Sequence, residues 1–125
     1  MNQKNIFTAI AAILLLQGII FYTMGGKVVA DVYPTLDPTG ASATTTVMKV
    51  VAMMGIALGL ISYAARNSAE VLWAYTLGFG LFGLNTLKDL FIDKINVPIP
   101  AVLIQLGVAL VCGYLWYQNN RKVQA

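Results

Sequence analysis

The sequence predicts an all-α protein, a bundle of four transmembrane helices. Hydrophobic residues make up 58% of its 125 residues and charged residues only 10%, whereas an average soluble domain is roughly 45–50% apolar and about 25% charged. A soluble domain of this size buries only about 60–70% of the surface of its unfolded chain, so the excess apolar surface needs lipid. The chain also contains four separate apolar stretches, each close to the length of about 20 residues that a membrane-crossing helix requires.

The first predicted span covers residues 6–26 and is followed by a long connection. Gly25 and Gly26 favour a helix end, because glycine readily adopts the left-handed conformation that closes helices. Beyond them the chain contains Pro34 and further residues that favour turns. We therefore predict an outer loop over residues 27–43.

The second predicted span covers residues 44–65. Ser42 or Thr44 can cap its start, because short polar side chains accept hydrogen bonds from the first free backbone amides of a helix. The third span covers residues 70–90. Asn67 can cap this helix while the acidic residue three positions later reaches back to the cap.

The fourth predicted span covers residues 98–117, opened by Asn96 and by two prolines, which are tolerated in a first turn. All 125 residues then form a single membrane domain. Four crossings return the chain to its starting side. That side holds Lys4, Arg66, Arg121 and Lys122, whereas Lys27, Lys88 and Lys94 lie on the other side with Lys49 just inside the second span, so the Lys/Arg bias does not decide the orientation. We predict that both termini are cytoplasmic from the aromatic residues and both arginines on this face. An aromatic belt on the same face would contain Tyr63, Trp73, Tyr75, Tyr114, Trp116 and Tyr117.

Small residues recur at spacings of three and four along the second and third spans. In lipid, helices associate by close packing rather than by the hydrophobic effect, so small residues mark contacts between helices. The pattern fits packing inside the bundle and also a seam between copies of the chain, and both can hold at once. The residues predicted to pack helices are Ala52, Gly55, Gly59 and Ser62 in the second span and Gly80 and Gly83 in the third.

Polar residues inside the predicted spans are candidates for a ligand or ion site, because polar groups in a bilayer are costly and often functional. Gln17 and Gln105 fall at similar depths, so they could hydrogen-bond across the bundle or hold a polar ligand. Lys49, in the first turns of the second helix, could pair with Asp31 or Asp37. Tyr22, Lys49, Asn85 and Gln105 fall in the outer half and could line a shallow vestibule open to the outer side. With Gln17 they form the candidate ligand or ion site.

The residue types argue against several functional classes. The chain has no histidine, which is the usual metal ligand and the usual general base near neutral pH. Its eight Lys and Arg residues are scattered, so the net charge of +3 does not indicate nucleic-acid binding. A proton antiporter usually requires an ionisable residue deep in a span, and no acidic residue lies there. We therefore expect no catalytic residues, no metal and no cofactor, with the lipid bilayer as the main partner.

Three features carry a resemblance to a known family. They are the proline-punctuated connection at residues 33–38, the glycine-rich second helix ending in Arg66, and Asp93 followed by Val97 and Pro98 before the last span. On these features the chain resembles small four-helix bacterial membrane proteins of the DoxX-like kind. The resemblance covers most of the chain and implies a four-helix bundle, with little chemistry attached to it.

The sequence around Arg66 carries a second resemblance. Arg66-Asn67-Ser68-Ala69-Glu70 looks like the R-N-x-x-E stretch of the four-helix membrane enzymes that metabolise glutathione and eicosanoids. In those enzymes the stretch lies within a helix and helps to bind glutathione. Here it falls in a connection, without the basic residues that normally surround it, and helix capping also explains it.

Taken together, the residues predict a non-enzymatic, multi-pass protein of the bacterial inner membrane. It would act as a packing, assembly or accessory subunit, either as a homo-oligomer or within a larger membrane complex. A small channel or transporter that uses the outer polar residues is the first alternative. A glutathione-dependent membrane enzyme is the second.

Overall fold

The protein is helical throughout the part that its computed structural model describes, which is residues 2–95 and 97–124, with side chains up to Arg121. This part contains no strand, so the all-α prediction is confirmed. Contacts divide the chain into two units, and each is a helical hairpin: the first covers Asn2–Arg66, and the second begins at Asn67. The four helices are α1 (Gln3–Val32), α2 (Pro38–Ala64), α3 (Leu72–Phe91) and α4 (Ile99–Gln124), and a 3₁₀ turn (Ala69–Val71) precedes α3.

Three of these helices are long and apolar enough to cross a membrane. They are α1, α2 and the Ile99–Arg121 part of α4. Within the described residues α3 is not among them, although its 20 residues would reach across a bilayer. Its last two turns are polar, which lowers its mean hydropathy, so a fourth membrane span stays a prediction. The polar residues there are Asn85, Thr86, Lys88 and Asp89.

The prediction that Gly25 and Gly26 end the first helix is wrong, because α1 continues to Val32. Gly25 is buried against α2, and a Cβ atom at Gly25 would lie 3.5 Å from Cγ of Met48. This packing between helices outweighs the cost of about 1 kcal/mol that a glycine adds inside a helix. The helix ends instead at Tyr33, whose φ of −127° and ψ of 66° are not helical, because the following proline disfavours helical geometry.

The predicted outer loop over residues 27–43 is also wrong, because only residues 33–37 separate α1 from α2. Helix α2 begins at Pro38, and the Asp37 side chain caps it by accepting a hydrogen bond from the Gly40 backbone amide at 2.7 Å. A proline in the first turn and an aspartate cap are a favourable start. Ser42 and Thr44, the predicted caps, therefore lie inside α2. The two helices extend together about 9 Å beyond the first predicted span.

The start of the second hairpin also differs from the sequence prediction. Asn67 does not cap the third helix: Ser68 precedes the 3₁₀ turn in an extended conformation, and α3 itself begins at Leu72. Asn67 lies in the turn that ends α2, one residue too early to act as the cap. Asn96, predicted to open the fourth helix, lies outside the described residues, and α4 begins at Ile99.

The helices of the first hairpin approach most closely at two glycines. A Cβ atom on Gly18 would lie 2.8 Å from the backbone oxygen of Ala52, and one on Gly59 would lie 3.1 Å from the backbone oxygen of Ala11. Between them, a Cβ atom on Gly55 would lie 3.9 Å from Cα of Gly18. Larger residues at the first two positions would push the backbones apart. This hairpin also buries Phe7, Ile10, Leu14, Val29 and Ser62.

The second hairpin packs in the same way. Gly83 lies against Leu106, whose Cγ would be 2.9 Å from a Cβ atom on the glycine. A Cβ atom on Gly80 would be 4.0 Å from Cβ of Ala109, which is ordinary contact. Small residues on α3 thus let α4 approach within this hairpin, whereas a seam between copies stays a prediction. The buried side chains are Leu72, Tyr75, Val102, Val108, Ala109, Cys112 and Leu115.

We expect Gly18→Ala to destabilise the first hairpin by up to about 2 kcal/mol, because overpacking costs about 1–3 kcal/mol and the gain in helix propensity returns about 1 kcal/mol. The matched control is Gly26→Ala, where the nearest atom, Cγ2 of Thr45, would lie 3.9 Å away. This control should be neutral or stabilising. The free energy of unfolding, measured by detergent titration in mixed micelles, checks both variants, and equal effects would contradict the packing argument.

Candidate functional site

The five candidate residues are divided between the two hairpins. Gln17 and Tyr22 lie on α1 and Lys49 on α2, whereas Asn85 lies on α3 and Gln105 on α4. Within the first hairpin the structure brings Tyr22 and Lys49 together. Within the second it brings Gln105 to Thr86, a residue that the sequence analysis did not select. A pairing of Gln17 with Gln105, and the vestibule as a whole, stay predictions.

Lys49 faces an aromatic ring in the first hairpin. Its Nζ lies 5.9 Å from the centroid of the Tyr22 ring, and both residues are exposed. At that distance a cation is attracted to the negative face of the ring by about 0.5–1 kcal/mol. Lys49 does not form the expected ion pair with Asp31 or Asp37. The one ion pair in the described part of the chain joins Lys88 to Asp93, and the Asp37 side chain caps α2.

The depth of Lys49 also differs from the prediction. Because α2 begins at Pro38, Lys49 lies about three turns into the helix instead of in its first turns, about 16 Å along the axis. On α1 its partner Tyr22 precedes Lys27 by about 7 Å of helix. The side chain of Lys49 can span this distance of about 7 Å, so that its stem covers apolar surface while its ammonium approaches the level of Lys27.

The contact between Thr86 and Gln105 joins α3 to α4. Oγ1 of Thr86 lies 2.7 Å from Oε1 of Gln105 and 2.8 Å from the backbone oxygen of Phe82. One hydroxyl hydrogen can be donated to only one of these two oxygens. If the Gln105 amide turns over, its nitrogen donates to Oγ1 while the hydroxyl donates to Phe82, and both bonds form. Gln105 then keeps its carbonyl oxygen available to a further donor.

The end of α3 carries a cluster of polar and charged groups. The amide of Asn85 donates to Asp89 at 3.2 Å, and Lys88 forms an ion pair with Asp93 at 2.8 Å. Lys94 follows with a φ of 53°, a left-handed conformation that few side chains adopt. The spacing of four between Asn85 and Asp89 is a signal that the sequence analysis missed, because side chains at that spacing meet on a helix. These groups indicate that this end of α3 faces water.

The second group of polar contacts lies at the ends of α2 and α4. The guanidinium of Arg66 stacks on the Tyr63 ring, and that of Arg121 lies over the Tyr117 ring. Of the residues predicted to form an aromatic belt, Tyr75 is buried and does not fit an exposed position. The remaining five are exposed: Tyr63, Trp73, Tyr114, Trp116 and Tyr117.

The segment that looks like a glutathione-binding stretch is not part of an α-helix. Arg66 and Asn67 lie in a turn, and Ala69–Val71 form the 3₁₀ turn. Nη1 of Arg66 donates to the backbone oxygen of Tyr63 at 2.6 Å, so the arginine helps to close the end of α2.

The chemistry of the candidate site is that of amides and hydroxyls, which donate and accept hydrogen bonds. Within the described residues every buried polar side-chain atom has a partner. No group of three or more His, Cys, Asp or Glu side chains that could hold a metal occurs in the same part of the chain. The single thiol, Cys112, is buried on α4.

Comparisons with known proteins do not extend this description: no protein-family model matches the chain, and no similar curated protein or solved structure was found. The DoxX-like layout therefore stays a prediction that rests on the residues quoted above.

We expect a double-mutant cycle of Thr86→Val and Gln105→Leu to show a coupling of about 0.6 kcal/mol, the average for hydrogen bonds between membrane helices. Unfolding in mixed micelles measures it. The matched control is Thr23→Val, because the Thr23 hydroxyl bonds only to carbonyls of its own helix, Ile19 and Ile20. Thr23→Val should be additive with Gln105→Leu. If Thr86→Val and Gln105→Leu are also additive, the hydrogen bond between these two residues contributes nothing to stability.

Proposed function

We propose that this chain is a multi-pass protein of the bacterial inner membrane that acts by assembly, as a homo-oligomer or as an accessory subunit of a larger membrane complex, and not by catalysis. The observation that carries the proposal is the apolar outer surface of both hairpins. Large apolar side chains point away from the glycine contacts on three helices, for example Leu16 on α1, Met54 on α2 and Leu110 on α4, with exposed fractions of 61%, 62% and 75%.

Two glycines with open space beside them also support assembly. Cβ atoms built on Gly78 of α3 and Gly107 of α4 would meet no atom within 4 Å. Open glycines between exposed leucines, such as Leu77 and Leu103, let the backbone of another helix approach closely. The inner faces, in contrast, are already occupied by contacts within each hairpin.

We further propose that α3 is a fourth span, so that the helices form a bundle of DoxX-like layout with both termini in the cytoplasm. A helix of 20 residues is about 30 Å long, which equals the thickness of the hydrocarbon core. Its charged end, at Lys88 and Asp89, would then lie at the outer surface. Lys4, Arg66, Arg121 and Lys122 would lie on the cytoplasmic side and the other four lysines at or near the outer side, so the count of cations favours neither orientation. The exposed aromatic side chains at the ends of α2 and α4, together with both arginines, support cytoplasmic termini.

Reporter fusions test this topology. We expect alkaline phosphatase to be active when fused after Asp93 and inactive when fused after Arg66 or at the C-terminus. Fusions of green fluorescent protein should give the opposite pattern, because it fluoresces only in the cytoplasm. If α3 does not cross, the reporters after Arg66 and Asp93 will agree and the C-terminal reporter will switch sides.

The assembly proposal predicts a molar mass above that of the 13.5 kDa chain in mild detergent. Light scattering corrected for bound detergent should give an integral multiple of the chain mass, or a complex of constant stoichiometry with another membrane protein. A stable, folded monomer at all concentrations would contradict the proposal.

The alternative function, a channel or carrier, is favoured by the polar contact of Thr86 with Gln105 inside the second hairpin. It requires solute flux across liposomes that contain the purified chain. In that case Gln17→Leu with Gln105→Leu should reduce the flux. Absent flux, or flux that the double variant leaves unchanged, removes this alternative.

A further inference from the structure

Two arginines at helix ends share a local arrangement. The guanidinium carbon of Arg66 lies 4.0 Å from the centroid of the Tyr63 ring, one turn earlier in the chain. In the other hairpin, the guanidinium carbon of Arg121 lies 5.2 Å from the centroid of the Tyr117 ring, again one turn earlier. In each hairpin a tyrosine therefore holds an arginine at the C-terminal end of an apolar helix.

Neither cation has a carboxylate partner among the residues that the structure describes. The ion pair of Lys88 with Asp93 is the one formed in the described part of the chain, so no described carboxylate lies within 4 Å of either guanidinium. A guanidinium has five N–H donors. Arg66 uses one of them on the Tyr63 backbone oxygen. Most donors of both arginines therefore remain available to a ligand outside the chain.

The surroundings of the two arginines indicate where that ligand lies. Arg66 follows α2 and Arg121 ends the Ile99–Arg121 part of α4, and both of these segments are long and apolar enough to cross a membrane. The aromatic side chains beside them are exposed, including Tyr63, Tyr117 and Trp116. Tyrosine and tryptophan concentrate where the hydrocarbon meets the headgroups. A guanidinium beside these rings lies at the depth of the lipid phosphates.

We propose that each pair, Tyr63 with Arg66 and Tyr117 with Arg121, binds the phosphate of an anionic phospholipid. This inference rests on the proposed membrane function. Contact with the ring restricts the guanidinium, and the N–H groups that it does not use can donate to two phosphate oxygens. Because the tyrosine restricts the arginine before binding, less conformational entropy is lost when the lipid binds.

Native mass spectrometry of the whole chain, with equal amounts of phosphatidylglycerol and phosphatidylcholine, tests the proposal. We expect the wild type to retain phosphatidylglycerol preferentially. Arg66→Gln and Arg121→Gln should each weaken its binding at one site about ten-fold, because a hydrogen bond between charged groups is lost, and the double variant should weaken both sites. Tyr63→Leu keeps the charge but removes the ring, and it should weaken the Arg66 site.

The matched control is Lys4→Gln, which removes one exposed positive charge that stacks on no ring. It should leave the preference for phosphatidylglycerol unchanged. The proposal is overturned if the arginine variants behave like the wild type, if Lys4→Gln weakens binding equally, or if excess inorganic phosphate displaces the lipid, since the ligand would then be free phosphate. A chain that retains neither lipid overturns the membrane function itself, whereas equal retention of both overturns only the headgroup site.

Discussion

A polypeptide backbone in hydrocarbon has no water to bond with, so its amides and carbonyls have to satisfy one another within the chain. Helices of 30, 27 and 26 residues meet this requirement here. At about 45 Å, α1 is longer than the hydrocarbon core of about 30 Å, and α1 and α2 continue as a pair until only residues 33–37 separate them. Once the helices pair, extending them satisfies more backbone groups than an irregular loop would. The hairpin is therefore the unit from which the structure is built.

The two helices of a hairpin are not held together by expulsion of water, because lipid chains are as apolar as leucine side chains. Close contact between surfaces has to supply the attraction, and it depends on the glycines. At Gly18 and Gly59 the backbones of α1 and α2 are so close that an added Cβ atom would lie 2.8 Å or 3.1 Å from a backbone oxygen of the other helix. Gly83 has the same role between α3 and α4. Apolar side chains are then left to the outer surface, which lipid chains can cover. The open space beside Gly78 and Gly107 on that surface is the reason that we relate function to assembly.

The polar contacts differ between the inside of the hairpins and the helix ends. Thr86 and Gln105 satisfy one another inside the second hairpin. Charged groups collect at the end of α3, and Arg66 and Arg121 rest on tyrosines at the ends of α2 and α4. A cation with an aromatic ring but no carboxylate keeps its affinity for an external anion, and a membrane supplies that anion as lipid phosphate.

The sequence by itself determined that the chain is helical and that three of the four predicted stretches are apolar enough for lipid, because these properties follow from composition and from the length of each run. It also identified Tyr22, Lys49 and Gln105 as polar residues within those stretches. Only the tertiary structure decided where helices end and which polar groups meet. Glycines mark a helix end in an isolated segment, but Gly25 packs against Met48, so α1 continues past it. Likewise, Gln105 bonds to Thr86 and Lys49 faces Tyr22 because the pairing of helices sets these neighbours, and residues distant in the sequence acquire a common register only when the helices pack.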